Sequence, residues 1–248
     1  MQRTAPPHLT AGLIGFGVIG QQVAQGIASG AAGDTRLVGI LVRQARERMS
    51  TAPVFTDLAA FLATGPQVVL EAAGPVALAG YAEPILSSGA VLIAASAGAL
   101  LDPALRTRLE TVCRQHRSRV YVPAGALGGL EALAAAAVGA LDEVTLRIVE
   151  PGDAEQVIFC GDALDGAQQF PARLNVAVAA SLAAARGVQV ELSQQRVDHR
   201  EIELTARGAF GDMRIQLNLR PAPNRVSHIV ALSLLSALKR LQQALVVG

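Results

Sequence analysis

The sequence predicts an α/β protein: a doubly wound parallel sheet followed by a smaller α+β domain with an antiparallel sheet. Three observations carry that prediction. Leu13–Gly20 reads Leu-Ile-Gly-Phe-Gly-Val-Ile-Gly, a G-x-G-x-x-G run set between an apolar stretch and a helix-compatible one. Strand-length apolar runs alternate with helix-like segments as far as Val122, the order expected of a parallel sheet. After Pro123 the texture changes to alanine-rich helical segments and alternating, strand-like runs.

The first strand is Ala11–Ile14, the first helix Gln21–Ser29 and the second strand Leu37–Val42, which completes a βαβ unit. In that setting the glycines have separate tasks. One makes the tight turn, one lets backbone approach a pyrophosphate, and one lets helix and strand pack closely. Gly15, Gly17 and Gly20 fill these places, and Val18 and Ile19 open the helix whose N-terminal amides would face the phosphates. The plain alternative is a glycine-rich turn with no ligand. An NAD-selective site of this Rossmann type has an acidic residue about twenty positions on, against the ribose 2′-hydroxyl. Here Arg43 ends the strand, with Arg46 and Arg48 after it. Three guanidinium groups either hold a 2′-phosphate or make a solvated basic loop; the first reading predicts that NADP(H) is accepted.

Thr56–Thr64 reads as a short helix and Val68–Ala73 as the third strand, closing in Glu71-Ala-Ala-Gly-Pro75, where Ala73 and Gly74 are small enough for backbone to lie near a cofactor. Val76–Ser88 is the next helix, with Gly89 as its C-cap. The fourth strand, Ala90–Ala95, runs into Ser96-Ala-Gly-Ala-Leu100. Asp102-Pro103 starts a helix with Leu105, Leu109, Val112 and Cys113 on one side, and Arg119–Val122 is the fifth strand. Ligands of such sheets bind beyond the carboxyl ends of the strands, where all of these loops lie. The second part begins with the loop Ala124–Gly129 and a helix over Leu130–Leu141. A strand at Glu143–Val149, helices at Asp162–Phe170 and Leu174–Arg186, and strands at Val188–Leu192, His199–Ala206 and Met213–Leu219 follow, the last two joined by a tight turn at Gly208–Gly211. A final helix, Val226–Leu245, aligns Ile229, Leu232, Leu235 and Leu238. The expected division is a dinucleotide-binding domain over 1–122, a substrate and dimerisation domain over 123–225, and a C-terminal helix over 226–248 that packs back on the first domain.

With a net charge of +1, 3% aromatic residues and no Trp in 248 residues, the chain offers no footprint for nucleic acid. Its apolar runs break well before about 18 residues, so no membrane span is expected, and Met1–Thr10 lacks the apolar core of a secretory signal. Cys113 and Cys160 make neither a disulfide framework nor a metal cluster. The expectation is a metal-free cytoplasmic protein acting on a small molecule, with the second domain pairing strands in a homodimer.

Gly125–Leu133 reads Gly-Ala-Leu-Gly-Gly-Leu-Glu-Ala-Leu and resembles the L-aspartate dehydrogenase family, whose pattern there is close to Gly-Ala-Ile-Gly-Gly-Leu-Asp-Ala-Leu. Glu71-Ala-Ala-Gly74, Ser96–Leu100, Phe170-Pro171 with Asn175-Val-Ala177, and His199-Arg-Glu-Ile202 before the Gly208-Ala-Phe-Gly211 turn match in the same order. The chain departs from the pattern by being shorter on both sides of Asn175, by lacking a Lys-Pro-Pro segment near Arg147–Pro151, and by reducing a late Asn-Pro-Lys-Thr-Ser segment to Asn224-Arg-Val-Ser227. The resemblance implies oxidation of L-aspartate by NAD or NADP to iminosuccinate, which gives oxaloacetate and ammonia or feeds quinolinate and NAD synthesis, or the reverse reductive amination. It implies His199 as the catalytic acid/base, a role suited to imidazole, which titrates near neutrality. It places Ala126 and Asn175 at the nicotinamide end, although Asn before an alanine-rich helix is also an ordinary N-cap. Arg173, Arg196 and Arg200 are candidates for the substrate carboxylates by charge, and no spacing singles one out. His8, His116 and His228 read as structural or surface residues. A reductase of another small dicarboxylate or imine, and a cofactor-binding regulator without turnover, remain alternatives.

Overall fold

Branched apolar side chains fill the first strands of the chain, and these strands pair in parallel, as strands buried on both faces do. They are β1 (Leu9–Ile14), β2 (Thr35–Leu41), β3 (Val54–Phe55), β4 (Val68–Glu71), β5 (Val91–Ala94) and β6 (Val120–Tyr121), in the spatial order β3-β2-β1-β4-β5-β6. The computed structural model describes residues 8–45, 52–220 and 227–246, and divides them into two compact units, Met1–Pro123 with Asn224–Val247, and Ala124–Pro223. Arg46 and Arg48 lie outside the described residues.

The helices of the first unit are α1 (Val18–Ala28), α2 (Leu58–Leu62), α3 (Pro75–Ser87) and α4 (Pro103–His116). Local chemistry starts them. The Asp57 side chain accepts from the Ala60 amide at 2.8 Å and Asp102 from Ala104 at 2.9 Å, while Pro75 and Pro103 occupy first-turn positions where a missing N–H costs nothing. The helix expected over Thr56–Thr64 is shorter, because Asp57 caps it and Ala63 closes it, and Val54 and Phe55 before it pair with Ile40 and Leu41. Two phenylalanines explain two glycines in neighbouring strands: a Cβ on Gly12 would collide with the fully buried Phe61 ring, and one on Gly39 with the Phe55 ring.

The second unit contains α5 (Leu130–Val138), β7 (Leu141–Pro151), β8 (Gln156–Asp162), α6 (Ala163–Gln169), α7 (Asn175–Ala184), β9 (Gln189–Gln195), β10 (Arg200–Gly208) and β11 (Gly211–Leu219). Its sheet runs β11-β10-β7-β9-β8 and is mixed: β7 pairs in parallel with β9, and the other three pairings are antiparallel. The expected purely antiparallel sheet is corrected at that one pairing. Two helices intervene before β9 returns beside β7, and a crossover of that length permits the parallel sense. Strand β8 has no counterpart in the sequence reading, because it is a partly exposed edge strand, bulged between Val157 and Phe159, and shows no clean alternation. Leu146, Ile148, Val190, Leu192, Ile202 and Leu204 are buried along the sheet, as are Val176–Ala180 of α7.

Helix α8 (Ile229–Arg240) packs on α1 in the first unit. Leu234, Leu235 and Leu238 join Leu13, Val23, Ile27 and Ile40 in one buried cluster. Leu235 sits against Gly26, where a Cβ would overlap its side chain. The Gln22 side-chain oxygen accepts from the amides of Ser227 (3.0 Å) and His228 (2.9 Å), which settles where α8 starts. Leu235→Ala therefore empties a tightly filled site and should cost about 2–5 kcal/mol, read as a lower urea midpoint. Leu232→Ala, at a position that is 38% exposed, should stay within about 0.5 kcal/mol of the parent.

Candidate active site

The turn after β1 holds the first set of candidate residues. Gly15 has φ +91°, and its amide donates to the Leu41 carbonyl at 2.9 Å. A Cβ there would lie 2.5 Å from the Ala72 carbonyl oxygen. A Cβ on Gly20 would overlap the carbonyl oxygen of Gly15, so the first turn of α1 touches the turn it grows from. Gly17 differs: it is the N-cap of α1, makes no side-chain cap, and has nothing within 4 Å of where a Cβ would stand. Two glycines are thus required by contact, and the third leaves an open face at the positive end of an eleven-residue helix with no acidic residue in its first turn. Val18, 69% exposed, and Ile19 begin that helix. This cradle fits a dinucleotide pyrophosphate, which needs backbone amides and unhindered approach. Arg43, just past β2, is exposed.

The loops after β4 and β5 are tied together by Glu71, the last residue of β4. Its carboxylate is fully buried and accepts from the amides of Ala73 (2.7 Å), Gly74 (2.8 Å) and Ser96 (3.1 Å) and from the Ser96 hydroxyl (2.9 Å). Burial pushes the Glu71 carboxyl above its usual range, and the four hydrogen bonds pull the other way. Ala73, Gly74 and Ser96 are thereby held by one side chain at the ends of adjacent strands. No role for Glu71 was foreseen. The available signal was an acid closing the otherwise apolar run Val68-Val-Leu, all of it buried.

In the second unit, His199 immediately precedes β10. Its Nδ1 lies 2.7 Å from Asp198 Oδ1 and 3.0 Å from Arg220 Nη2, while Arg220 also donates to both Asp198 oxygens, at 3.1 and 3.3 Å. Arg220, then His199, holds the Asp198 carboxyl down to about 2. Asp198 is therefore a carboxylate, which can accept from Nδ1–H, while Arg220 Nη2, which can only donate, faces the same nitrogen. Asp198 and Arg220 went unremarked in the sequence because they are 22 residues apart. Ala126 is buried in the turn that precedes α5, where the Leu127 amide donates to the Ala124 carbonyl. Asn175 is the first residue of α7 and Leu174 its N-cap, so the N-cap alternative for Asn175 does not hold. Of the three arginines, Arg196 is exposed and bonded to the Asp153 carbonyl; Arg173 and Arg200 meet at Glu150. Among the described residues no group of His, Cys, Asp and Glu could hold a metal ion.

Residues 15–123 match the NAD-binding domain model described for homoserine dehydrogenase, and residues 149–241 match the aspartate dehydrogenase C-terminal model. L-aspartate dehydrogenase of Archaeoglobus fulgidus is 36% identical over 242 residues, covering 95% of this chain and 99% of that one. The chain belongs to the L-aspartate dehydrogenase family. L-aspartate dehydrogenase of Methanospirillum hungatei is 33% identical, with 81% of this chain and 84% of that one covered. The crystal structure of aspartate dehydrogenase from Thermotoga maritima shares the fold, with a TM-score of 0.82 at 22% identity over 98% of this chain and all of that one. The glycine cradle lies in the stretch matched by the first model, and Glu150, Asn175 and His199 in that matched by the second.

Since the folded chain holds the Glu71 proton more tightly than the unfolded chain, this group weakens the fold as pH rises from the ordinary 4.5 through its higher folded value. Glu71→Gln removes that slope. Melting temperatures of the two proteins between pH 4 and 8 should diverge steadily in shape; parallel curves would show that the carboxyl is not raised.

Proposed function

We propose that the protein is an NAD(P)-dependent L-aspartate dehydrogenase, catalysing L-aspartate + NAD(P)⁺ → iminosuccinate + NAD(P)H + H⁺, with water then giving oxaloacetate and ammonia, or the reverse. The observation that carries this reading is the imidazole of His199, held at Nδ1 beside an ionised Asp198 and Arg220.

The residues that would hold the dinucleotide are Gly15, Gly17, Val18, Ile19 and Gly20 at the pyrophosphate, Ala73, Gly74 and Ser96 in the loops that Glu71 ties, and Ala126 and Asn175 at the nicotinamide end. When bound, it accepts the hydride from the substrate Cα. Arg43 favours acceptance of the 2′-phosphate of NADP. The chain's own contribution is positioning and proton movement. As the Cα–H bond is lost and C–N becomes C=N, the His199 imidazole takes the proton shed by the amine. In hydrolysis it takes a proton from the attacking water and returns it to the departing ammonia. Asp198 steadies the imidazolium while it exists, and Arg220 keeps Asp198 ionised.

The products suit a place in NAD synthesis. The even charge balance argues against a nucleic-acid partner, and among the described residues no helix is long and apolar enough to cross a membrane. We propose a cytoplasmic homodimer acting on a small molecule.

The test is to follow oxidation of NADPH with oxaloacetate and ammonium. His199→Ala should lower kcat by about 10²–10⁴-fold with NADP affinity retained, and Asp198→Asn should lower it by less. Tight NADP binding with no turnover of aspartate, oxaloacetate or any related imine would identify a regulator instead.

A further inference from the structure

Glu150, Arg173 and Arg200 form a charged cluster whose charges do not balance. Glu150 Oε2 receives Arg173 Nε at 2.7 Å and lies 2.5 Å from its Nη2. Arg200 Nη2 is 3.5 Å from Glu150 Oε1 and donates to the Arg173 carbonyl at 2.6 Å. Two guanidinium groups therefore share one carboxylate. Arg200 Nε is buried and has no hydrogen-bond partner among the described residues. Burial works against the Arg200 charge, which Glu150 supports and Arg173 opposes.

An unbalanced, partly desolvated charge is costly until a further partner meets it. Arg147 in the same sheet is the converse case, one guanidinium between Glu191 (3.5 Å) and Glu201 (3.3 Å), so that its surplus is negative. The Arg173 and Arg200 side chains are 29% and 30% exposed, so the surplus charge is reachable. The missing partner is a single negative charge on a planar acceptor, which two guanidinium forks recognise. In sequence, Arg173 precedes one site residue, Asn175, by two positions.

We infer that Arg200, braced by Arg173 and Glu150, binds a carboxylate of the substrate and selects dicarboxylates. This rests on the proposed function but is tested apart from it, using succinate as a non-reacting probe. Succinate should raise the melting temperature of the parent chain, propionate at equal ionic strength should not, and Arg200→Gln should abolish the succinate effect. With NADPH and ammonium, Arg200→Gln should raise KM for oxaloacetate by about 10–100-fold and leave KM for NADPH unchanged. Arg200→Lys keeps the charge but loses the fork, and should show a smaller rise; it also serves if the glutamine variant fails to fold. An active parent whose Arg200 variants retain its KM for oxaloacetate overturns the inference and leaves the dehydrogenase standing. Stabilisation by succinate that needs Arg200, in a parent without turnover, supports the carboxylate site and refutes the dehydrogenase. A parent that succinate does not stabilise overturns the inference.

Discussion

The first unit depends on a contact with no room in it. Helix α1 begins so close to the end of β1 that the Gly20 backbone rests on the Gly15 carbonyl, while Gly15 is pressed from the other side by Ala72. Any side chain at either place would push the helix away from the strand. Because the contact is tight, the N-terminal amides of α1 emerge beside the ends of β1 and β4, and Gly17 lies at the one place in the turn that is open. The same economy recurs at the far side of α1, where Gly26 admits Leu235. The helix is held by close approach on both sides, and its N-terminal end inherits its position from the packing.

Glu71 complements this with a polar constraint. A buried carboxylate without a cation is unfavourable, and the raised Glu71 proton affinity reflects that cost. Four donors from two loops offset it. Those loops follow β4 and β5, which pair directly through Glu71 and Ala94. An apolar residue there would cost less to bury, but it would leave the amides of Ala73, Gly74 and Ser96 without their acceptor and the loops without a common reference. A buried acid is what the arrangement needs if these amides are to keep fixed directions.

Much of this was legible in the sequence, and the reason is locality. The Gly15–Gly20 run, the apolar cores of β1, β2, β4 and β5, and the Asp102-Pro103 start of α4 each declare themselves within a few residues. What stayed hidden depends on partners brought in by register. Glu71 looks like the end of a strand until the Ser96 loop is placed beside it. Asp198 is an unremarkable exposed acid until β11 returns Arg220 to it, and β9 could be given a parallel sense only once the crossover through α6 and α7 was known. Arg196, Arg173 and Arg200 were equal by charge, and Glu150 separates them.

The charges of the second sheet divide along the pleat. On β7, Arg147 and Glu150 are three residues apart, and alternation sends residues of odd separation to opposite sides. Arg147 meets two glutamates and Glu150 meets two arginines, so the same few ion pairs leave one side of the sheet with surplus negative charge and the other with surplus positive. Glu203 with Arg214 adds a balanced pair and does not alter this. The positive side is the one on which Ile148 and Ile202, the paired residues two steps before Glu150 and two after Arg200, are buried. A cation surplus at the margin of an apolar face is poorly hydrated, and an anion placed there gains more than it would on the solvated side. The pleat thus concentrates the sheet's affinity for carboxylate on one side of one end, beside the residues that open α7.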